Sequence, residues 1–378
     1  MRRLITEPIR NALRRKLVLL SGPRQVGKTT LAKSLFANTA YYNYDLEAHR
    51  LLLRRMEWVR TSPLVVFDEL HKMKSWKRWL KGIYDTEGIS TPILVTGSAR
   101  LDVARKVGDS LAGRYLQFRL HPLCIKELLA EDQTISTEQA LRDLMTFSGF
   151  PEPFFAKDAV VHGQWQTTHS DIILRQDMID TESVRDIVGI ETLIELLSSR
   201  VGQLVTYESL GRDLERSATT VKRWLEALEN LYVIFSLRPY SNKITRSLRQ
   251  SRKYYLFDTS RVQNGDGAKL ENVVALALKK ECDRFQDCLG QRCGLHFLRT
   301  KEGREVDFML MNGARTTIIE CKLSEDKFSP DLKYFAQFFP QGSLKVFQVV
   351  ANLKEEREVF GGPKMVRAHS WLGQMPIF

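Results

Sequence analysis

The segment GPRQVGKTT, residues 22–30, restricts the possible folds of this chain more than any other feature of the sequence. It fits the pattern Gly-x-x-x-x-Gly-Lys-Thr and lies between the apolar run KLVLL and the helix-like stretch TLAKSLFA. A loop of this kind curls its backbone N–H groups around phosphates, at the junction of a strand and a helix. The segment therefore predicts an α/β domain that binds ATP, in which Lys28 reaches the β and γ phosphates and Thr29 ligates Mg²⁺. The residues predicted to contact the nucleotide are Gly22, Pro23, Arg24, Gln25, Val26, Gly27, Lys28, Thr29 and Thr30.

A second apolar run, LVVFDEL at residues 64–70, ends in two acids. In P-loop proteins an Asp on a second strand holds the magnesium ion, and a further polar residue orients the attacking water. We therefore predict that Asp68 binds Mg²⁺ and that Glu69 is catalytic and polarises the water. An ordinary acidic strand end in a βα loop is the alternative.

Two further candidates follow the third apolar run, ILVTGSAR at residues 93–100. Ser98 is predicted to sense the γ-phosphate, with Thr96 as the alternative, although either hydroxyl could instead cap the next helix. Arg114, in DSLAGR, is predicted to act as a finger that reaches the nucleotide of a neighbouring subunit. An ordinary surface arginine is the alternative at this position.

The three apolar runs are continuous and rich in β-branched residues, and each precedes a helix-length segment, which predicts a βαβ architecture with a parallel sheet. The chain carries 57 Lys+Arg against 45 Asp+Glu, a formal net charge of +12. This excess indicates a polyanionic partner, either nucleic acid or an anionic membrane surface.

The cysteines and the N-terminus indicate the cellular compartment of the protein. None of the five cysteines belongs to a Cys-x-x-Cys pair or has a His at zinc spacing, so we predict neither a zinc site nor a disulfide framework. The apolar run LVLL is too short for a signal-peptide core or a membrane span. We therefore expect a cytoplasmic protein that has no membrane partner.

Residues 190–257 predict a winged helix, because three short helix candidates precede two strands, YVIFSL and KYYLF. The third helix places Val221, Trp224, Leu225 and Leu228 on one face. Its other face offers Lys222 and Arg223 to DNA. The stretch between the strands, SNKITRSLRQSRK, contains no acid, which fits phosphate contact better than a solvated loop. Its predicted DNA-binding cations are Lys243, Arg246, Arg249, Arg252 and Lys253. Winged helices also serve as protein-docking modules.

The motifs GPRQVGKTT, FDEL, GSAR, SLAGR and GFPEP together resemble those of a family of bacterial and archaeal AAA+ ATPases. Members carry a C-terminal domain of unknown function with a restriction-endonuclease-like fold. The resemblance implies ATP and Mg²⁺ as cofactors and a homo-oligomer, with a hexamer as one option. The domains that we expect are an AAA+ P-loop NTPase core at 1–150, a helical lid at 151–189, a winged helix at 190–262 and a restriction-endonuclease-like domain at 263–378.

The last region has the order αβββαβ of a restriction-endonuclease-like core, with a tight hairpin at the Asn-Gly pair 312–313. In that core one acid comes from the first helix, an Asp from the second strand and Glu-x-Lys from the third. Here these residues would be Glu271, Asp307, Glu320 and Lys322. Asp307 and Glu320 would hold Mg²⁺ against a phosphate, Glu271 would support the metal, and Lys322 would steady the attacking water. Buried ion pairs are the alternative, and we prefer that interpretation for Glu305.

Taken together, these patterns predict an ATP-hydrolysing protein that acts on double-stranded or branched DNA through a nuclease-like last domain. The alternative is a nucleotide-switched DNA-binding or scaffold protein without nuclease activity. A salt-dependent DNA shift without cleavage in Mg²⁺ or Mn²⁺ would favour the alternative.

Overall fold

A computed structural model describes residues 2–88, 90–97, 111–174, 186–240, 251–324, 327–340, 342–359 and 362–378. Of the predicted site residues, Ser98, Lys243, Arg246 and Arg249 lie outside these ranges. The chain divides into two compact units. The first is Met1–His121 with Asn230–Tyr232 and Asp287–Leu289, and the second is the remainder. The division falls after His121, whereas the sequence placed the first boundary at residue 150. The finer division into four domains stays a prediction.

The first unit is built on a parallel sheet of five strands in the order β2-β3-β4-β1-β5. The continuous apolar runs predicted this, because strands covered on both faces have no polar side to alternate with. Its elements are α1 (Thr6–Leu13), β1 (Leu17–Ser21), α2 (Lys28–Ser34), β2 (Ala40–Asn43), α3 (Glu47–Arg54), β3 (Val65–Asp68), α4 (Trp76–Glu87), β4 (Ile93–Thr96) and β5 (Tyr115–Arg119).

The core of this sheet positions the site at its edge. On one side Phe67 packs edge-on against Trp58 and Trp79, with ring centroids 5.4 and 5.3 Å away. This packing fixes β3, so that Asp68 ends a fully buried strand and Glu69 follows it directly. The carboxyl ends of β1 and β3 therefore hold the two motifs on one edge of a parallel sheet, where α/β proteins bind ligands.

The second unit contains the remaining helices and a sheet of nine strands in the order β13-β14-β12-β11-β10-β9-β7-β8-β6. Its helices are α5 (Ile125–Glu131), α6 (Thr137–Phe147), α7 (Pro151–Ala156), α8 (Ala159–Asp171), α9 (Ile187–Ser198), α10 (Tyr207–Asp213), α11 (Ala218–Asn230), α12 (Asp266–Leu289), α13 (Pro330–Ala336) and α14 (Ala368–Gln374). Its strands are β6 (Leu204–Val205), β7 (Ile234–Pro239), β8 (Arg252–Leu256), β9 (Gly294–Arg299), β10 (Glu305–Asn312), β11 (Arg315–Lys322), β12 (Leu344–Val350), β13 (Arg357–Glu358) and β14 (Lys364–Arg367).

The predicted order of elements is confirmed in this unit. Three helices, α9 to α11, precede the antiparallel pair of β7 and β8, and β6 adds a third strand beside β8. The later elements follow the order α12, β9, β10, β11, α13, β12, with β9 to β11 antiparallel and β12 parallel to β11. Asn312 pairs with Arg315 across the expected hairpin.

Two features of this unit differ from the predictions. The strands of residues 190–262 and 263–378 form one sheet, because the end of β7 pairs with β9 at Arg238 and Pro239. Cys282 and Cys293 form a disulfide between α12 and the segment before β9, although the sequence predicted none. Both features depend on segments that meet only after folding, so no local pattern reveals them. Among the described helices, none is both long and apolar enough to cross a bilayer.

Candidate nucleotide site and acidic cluster

The loop between β1 and α2 has the backbone that its glycines predicted. Gly22 has a φ of 146°, and a Cβ added there would lie 2.2 Å from the carbonyl oxygen of Leu120. Gly27, just before α2, has a φ of 96°. Since side chains strongly disfavour these conformations, both positions require glycine. The loop therefore turns tightly between the strand and the helix.

Lys28 is buried at the start of α2. Its Nζ donates hydrogen bonds to the carbonyl oxygens of Pro23 at 2.6 Å and Gly22 at 3.0 Å. The ammonium group is thus held against the backbone of the loop that it was predicted to serve. A phosphate bound in this loop would meet a cation that is already close by.

The Asp68 carboxylate is the centre of a network of hydroxyl groups. Its Oδ2 accepts hydrogen bonds from Thr29 Oγ1 at 2.9 Å and from the Tyr41 hydroxyl at 2.5 Å. Its Oδ1 accepts from Thr96 Oγ1 and from the backbone N–H of Glu69. Thr29 and Asp68, the two predicted Mg²⁺ ligands, are therefore in direct contact.

Tyr41 is a residue of this site that the sequence analysis missed. It lies on β2, beside β3, where it pairs with Val66. Burial, and then the hydrogen bond to Asp68, raises the pKa of the phenol. The hydroxyl therefore stays protonated and donates. The only sequence signal was the tyrosine-rich run AYYNY, which does not say that β2 lies next to β3.

Glu69 follows Asp68 with a left-handed φ of 56°. Its Oε2 lies 3.6 Å from both His71 Nε2 and Lys72 Nζ, and Lys72 is also paired with Asp45 at 2.6 Å. Burial raises the pKa of Glu69, against the opposing effect of Lys72. Within the described part of the chain, Oε2 of Glu69 is buried and receives no hydrogen bond. A carboxylate oxygen of this kind is suited to accept a proton from water.

These residues fit a nucleotide with Mg²⁺. The groups around Asp68 are neutral hydroxyls, one of which is the predicted ligand Thr29. The nearby cation, Lys28, would be offset by the charge of the phosphates. The buried oxygen of Glu69 supplies an acceptor for the attacking water.

Two predicted residues of this unit, Ser98 and Arg114, remain to be placed. Ser98 lies outside the described residues, and the alternative, Thr96, orients Asp68. Arg114 lies just before β5 and pairs with Asp85 through two hydrogen bonds of 2.6 and 3.1 Å. The pair is partly exposed, so such an ion pair is weak and exchangeable. The role of Arg114 as a finger stays a prediction.

Replacing Tyr41 by Phe tests the hydroxyl network. We expect kcat for ATP hydrolysis to fall about fivefold, or ~1 kcal/mol of transition-state stabilisation, because one of the donors that fix Asp68 is removed. The Mg²⁺ concentration for half-maximal activity should rise, whereas nucleotide affinity measured without Mg²⁺ should not change. Tyr44→Phe, at another buried tyrosine, is the matched control. An unchanged Mg²⁺ dependence in Tyr41→Phe would rule out this role.

In the second unit, Lys253 lies among three acids. Its Nζ is 2.6 Å from Glu305 Oε1, 3.4 Å from Asp307 Oδ1 and 3.6 Å from Glu271 Oε1. Lys253 is only 1% exposed. Burial alone would lower its pKa, but the three carboxylates outweigh this effect and raise it. The predicted contact of Lys253 with DNA is therefore wrong, because its charge is buried and already neutralised. The preferred interpretation of Glu305 as an ion-pair residue agrees with these contacts.

The predicted Glu-x-Lys pair lies on the neighbouring side of Asp307. Lys322 Nζ is 2.9 Å from Glu320 Oε1, and Glu320 Oε2 accepts the backbone N–H of Asp307 at 3.4 Å. Asp307 Oδ2 accepts the N–H of Cys321 at 2.9 Å. Burial, and then the charge of Asp307, raises the pKa values of Glu271 and Glu320 to about 7. The fold thus brings all four predicted residues into one acidic cluster.

This cluster does not fit a divalent metal as it stands. Both oxygens of Asp307 and of Glu320 already face donors of the chain, and two of these donors are ammonium groups. Among the residues that the structure describes, no three His, Cys, Asp or Glu side chains are arranged to hold a metal ion. The cluster differs from the Asp68 site because its cations are fixed and no phosphate is needed to balance them.

The remaining DNA candidates that the structure describes are Lys222 and Arg223 on α11 and Arg252 on β8. Lys222 and Arg223 are exposed on α11, and the apolar face of that helix is buried as predicted. Arg252, on β8, is partly buried and lies over the ring of Tyr207 at 5.7 Å. Lys222 and Arg223 are therefore the more accessible of the described candidate cations in this region.

Comparison with known families agrees with the geometry of the first unit. Residues 14–129 match the family model of an AAA domain. This AAA domain contains the loop of Lys28 and the acids of β3. Residues 138–265 and 266–370 match two models described as domains of unknown function, DUF8612 and DUF4143. The chain thus combines an AAA domain with two regions for which the family models record no function.

Two proteins with similar sequences are described as uncharacterised. One from Mycobacterium tuberculosis is 28% identical over 256 residues, which cover 66% of this chain and 56% of the relative. One from Methanocaldococcus jannaschii is 24% identical over 355 residues, 85% of this chain and 78% of the relative. The chain spans little more than half the length of the mycobacterial relative.

The similar solved structures are more distant. A signal transduction ATPase with numerous domains and a tetratricopeptide repeat sensor, from Pyrococcus horikoshii, has a TM-score of 0.30 and 14% identity, and the match covers 77% of this chain and 47% of that one. The Drosophila ORC bound to DNA has a TM-score of 0.24 and 11% identity, and the match covers 66% of this chain and 89% of that one. These scores are too low to indicate a shared overall fold.

Proposed function

We propose that the protein is an ATP-hydrolysing AAA-type switch that binds DNA and does not cut it. The observation that carries the ATPase part is the contact of Thr29 with Asp68, followed directly by Glu69, whose buried Oε2 receives no hydrogen bond from the described residues. The match of residues 14–129 to an AAA domain supports the same conclusion. Mg²⁺ is the expected cofactor of such a site.

Each residue of the AAA domain has a distinct task in this proposal. The N–H groups of the loop and the Lys28 ammonium bind the phosphates, and Thr29 and Asp68 hold the metal ion. Bound Mg²⁺ would neutralise the charge that develops on the transferred phosphoryl group. Glu69 accepts a hydrogen bond from the attacking water and orients it, while Tyr41 and Thr96 keep Asp68 in place. Arg114 is proposed to act in a neighbouring subunit of a homo-oligomer.

The DNA-binding part rests on charge and on the order of elements. The net charge is +12, and polyanion binding is the usual use of such an excess. The order of elements, α9, β6, α10, α11, β7, β8, is that of a winged helix. The accessible cations lie on α11, which is the helix that would contact DNA. We expect Lys222 and Arg223 to contact phosphates, together with the predicted wing residues Lys243, Arg246, Arg249 and Arg252.

The proposal of binding without cutting follows from the acidic cluster. The order αβββαβ and the adjacency of Asp307, Glu320 and Lys322 agree with the nuclease-like interpretation of the sequence. However, the ammonium of Lys253 already faces Asp307, one of the two predicted metal ligands, which favours the alternative that the sequence left open. ATPase activity and gel shifts, measured with linear, branched and single-stranded DNA, test the function as a whole. DNA that shifts but stays intact in Mg²⁺ and Mn²⁺ supports the proposal, whereas cleavage would contradict it.

Neutralising the exposed face of α11 should weaken DNA binding in a salt-dependent way. For Lys222→Ala with Arg223→Ala, the slope of log affinity against log salt should flatten by up to about 0.9 for each phosphate that the protein no longer neutralises. The control is Lys301→Ala with Lys354→Ala, which removes two exposed lysines outside residues 190–257. The measurement is fluorescence anisotropy over a range of salt concentrations. Equal slopes for the two double variants would exclude α11 from the DNA interface.

A further inference from the structure

Lys253 is held in place by the strand that carries it. Two residues further along β8, the Tyr255 hydroxyl donates to Glu271 Oε1 at 2.7 Å. Asn272, next to Glu271 on α12, accepts the N–H of Leu256 at 2.8 Å and donates to its carbonyl oxygen at 2.9 Å. The strand and the helix are therefore joined directly after Lys253. These bonds hold the backbone of β8 that carries Lys253 beside the acids.

The charge arrangement around Lys253 is that of a bound cation. One buried ammonium faces carboxylates from two other elements, Glu271 on α12 and Glu305 and Asp307 on β10. Three partly buried carboxylates this close together repel one another unless a cation lies between them. In metal sites this cation is the metal ion. Here it is a side chain of the same chain.

Two further cations face the cluster, because Lys322 pairs with Glu320 and Arg299 pairs with the second oxygen of Glu305. Lys322 neutralises Glu320, and the backbone N–H groups of Asp307 and Cys321 satisfy the remaining oxygens of Glu320 and Asp307. A divalent ion placed against Asp307 would lie a few ångströms from the buried ammonium of Lys253, where repulsion is poorly screened. Each of the four carboxylates thus already faces a lysine of the chain.

We propose that Lys253 is a fixed internal cation that takes the electrostatic place of a divalent metal, so that the acidic cluster of α12, β10 and β11 is a metal-independent structural site. This inference rests on the non-cleaving function proposed above and deepens it by naming the residue that keeps the metal out. It also assigns the cluster a task, which is to join β8 to α12 and β10.

Mn²⁺ binding in the absence of nucleotide, followed by electron paramagnetic resonance on the full chain, tests this assignment. Lys253→Met keeps the length of the side chain but removes the charge, and we expect it to gain a Mn²⁺ site at least tenfold tighter than any in the wild type. Adding Asp307→Asn to this variant should remove the gained site. Lys280→Met is the matched control, because Lys280 is also a buried lysine paired with an acid, Glu127, outside the cluster. A folded Lys253→Met protein that gains no Mn²⁺ site would overturn the proposal.

A comparison of wild type with a variant of the acids gives a second test that does not depend on the folding of Lys253→Met. Mn²⁺ titrations of wild type and of Asp307→Asn with Glu320→Gln should be the same, because neither would bind the ion at the cluster. A wild-type site that is absent from this double variant would contradict the proposal. Neither titration involves ATP turnover. The result can therefore be interpreted even if the ATPase assignment is wrong.

Discussion

Glu69→Gln should bind ATP normally and hydrolyse it at least about a hundredfold more slowly, the usual contribution of a positioned general base. Glutamine has the same shape but is a poor proton acceptor, and Glu69 is proposed to contact only the water and not the ground-state phosphates. Binding and turnover should therefore separate in this variant. Single-turnover hydrolysis and equilibrium binding of a fluorescent ATP analogue measure the two quantities.

Glu57→Gln provides the control, because Glu57 is an exposed acid of the same unit and lies outside the site. It should hydrolyse ATP at the wild-type rate. If Glu69→Gln also turned over ATP at that rate, Glu69 would not be the residue that activates water. The buried oxygen of Glu69 would then serve only its contacts with His71 and Lys72.

Lys28→Ala should strongly reduce the affinity of the protein for ATP, and not only the rate of hydrolysis. The ammonium is predicted to meet the β and γ phosphates, and hydrogen bonds to charged groups contribute about 1.5–3 kcal/mol each. Removing one or two of them should weaken ATP binding by at least about tenfold. The effect should be much smaller for AMP, which lacks these phosphates. Isothermal titration with ATP, ADP and AMP measures the difference.

Lys74→Ala is the comparison for this variant, because it removes an exposed lysine of the same unit. Its affinities for all three nucleotides should match those of the wild type. If Lys28→Ala bound ATP as tightly as the wild-type protein does, the loop would not use this lysine to hold the phosphates. Thermal unfolding of both variants without nucleotide would check that the loop remains folded.

The features predicted correctly from sequence are those that neighbouring residues determine. The glycine loop, Lys28 and Thr29 lie within one short segment, and the strand of Asp68 is a single apolar run. The helix and strand order of residues 190–350 follows from periodicity and from the Asn-Gly turn in the same way. These signals need no knowledge of which strands become neighbours.

The residues that were missed depend on strand pairing. Tyr41 reaches Asp68 only because β2 lies beside β3, and Lys253 reaches three acids only because β8 packs on α12. In the sequence, Lys253 is the last cation of a segment that contains no acid, and this composition is typical of a solvent-exposed wing. In the structure, both faces of β8 are buried from Lys253 to Leu256, and Lys253 lies on the same face as Tyr255, which contacts Glu271. The sequence shows the charge of a residue but not the side of the sheet on which it lies.

The pairing of β7 with β9 has a consequence for how the second unit can be divided. A protein truncated after residue 262 would retain α9 to α11 and β6 to β8 but lack β9, which leaves the N–H and C=O groups at the end of β7 exposed as an open edge. It would also lack Glu271, Glu305 and Asp307, so β8 would lose the ion pairs that join Lys253 to the rest of the unit. Residues 190–262 and 263–378 should therefore unfold together as a single cooperative unit, although their family models meet at residues 265 and 266.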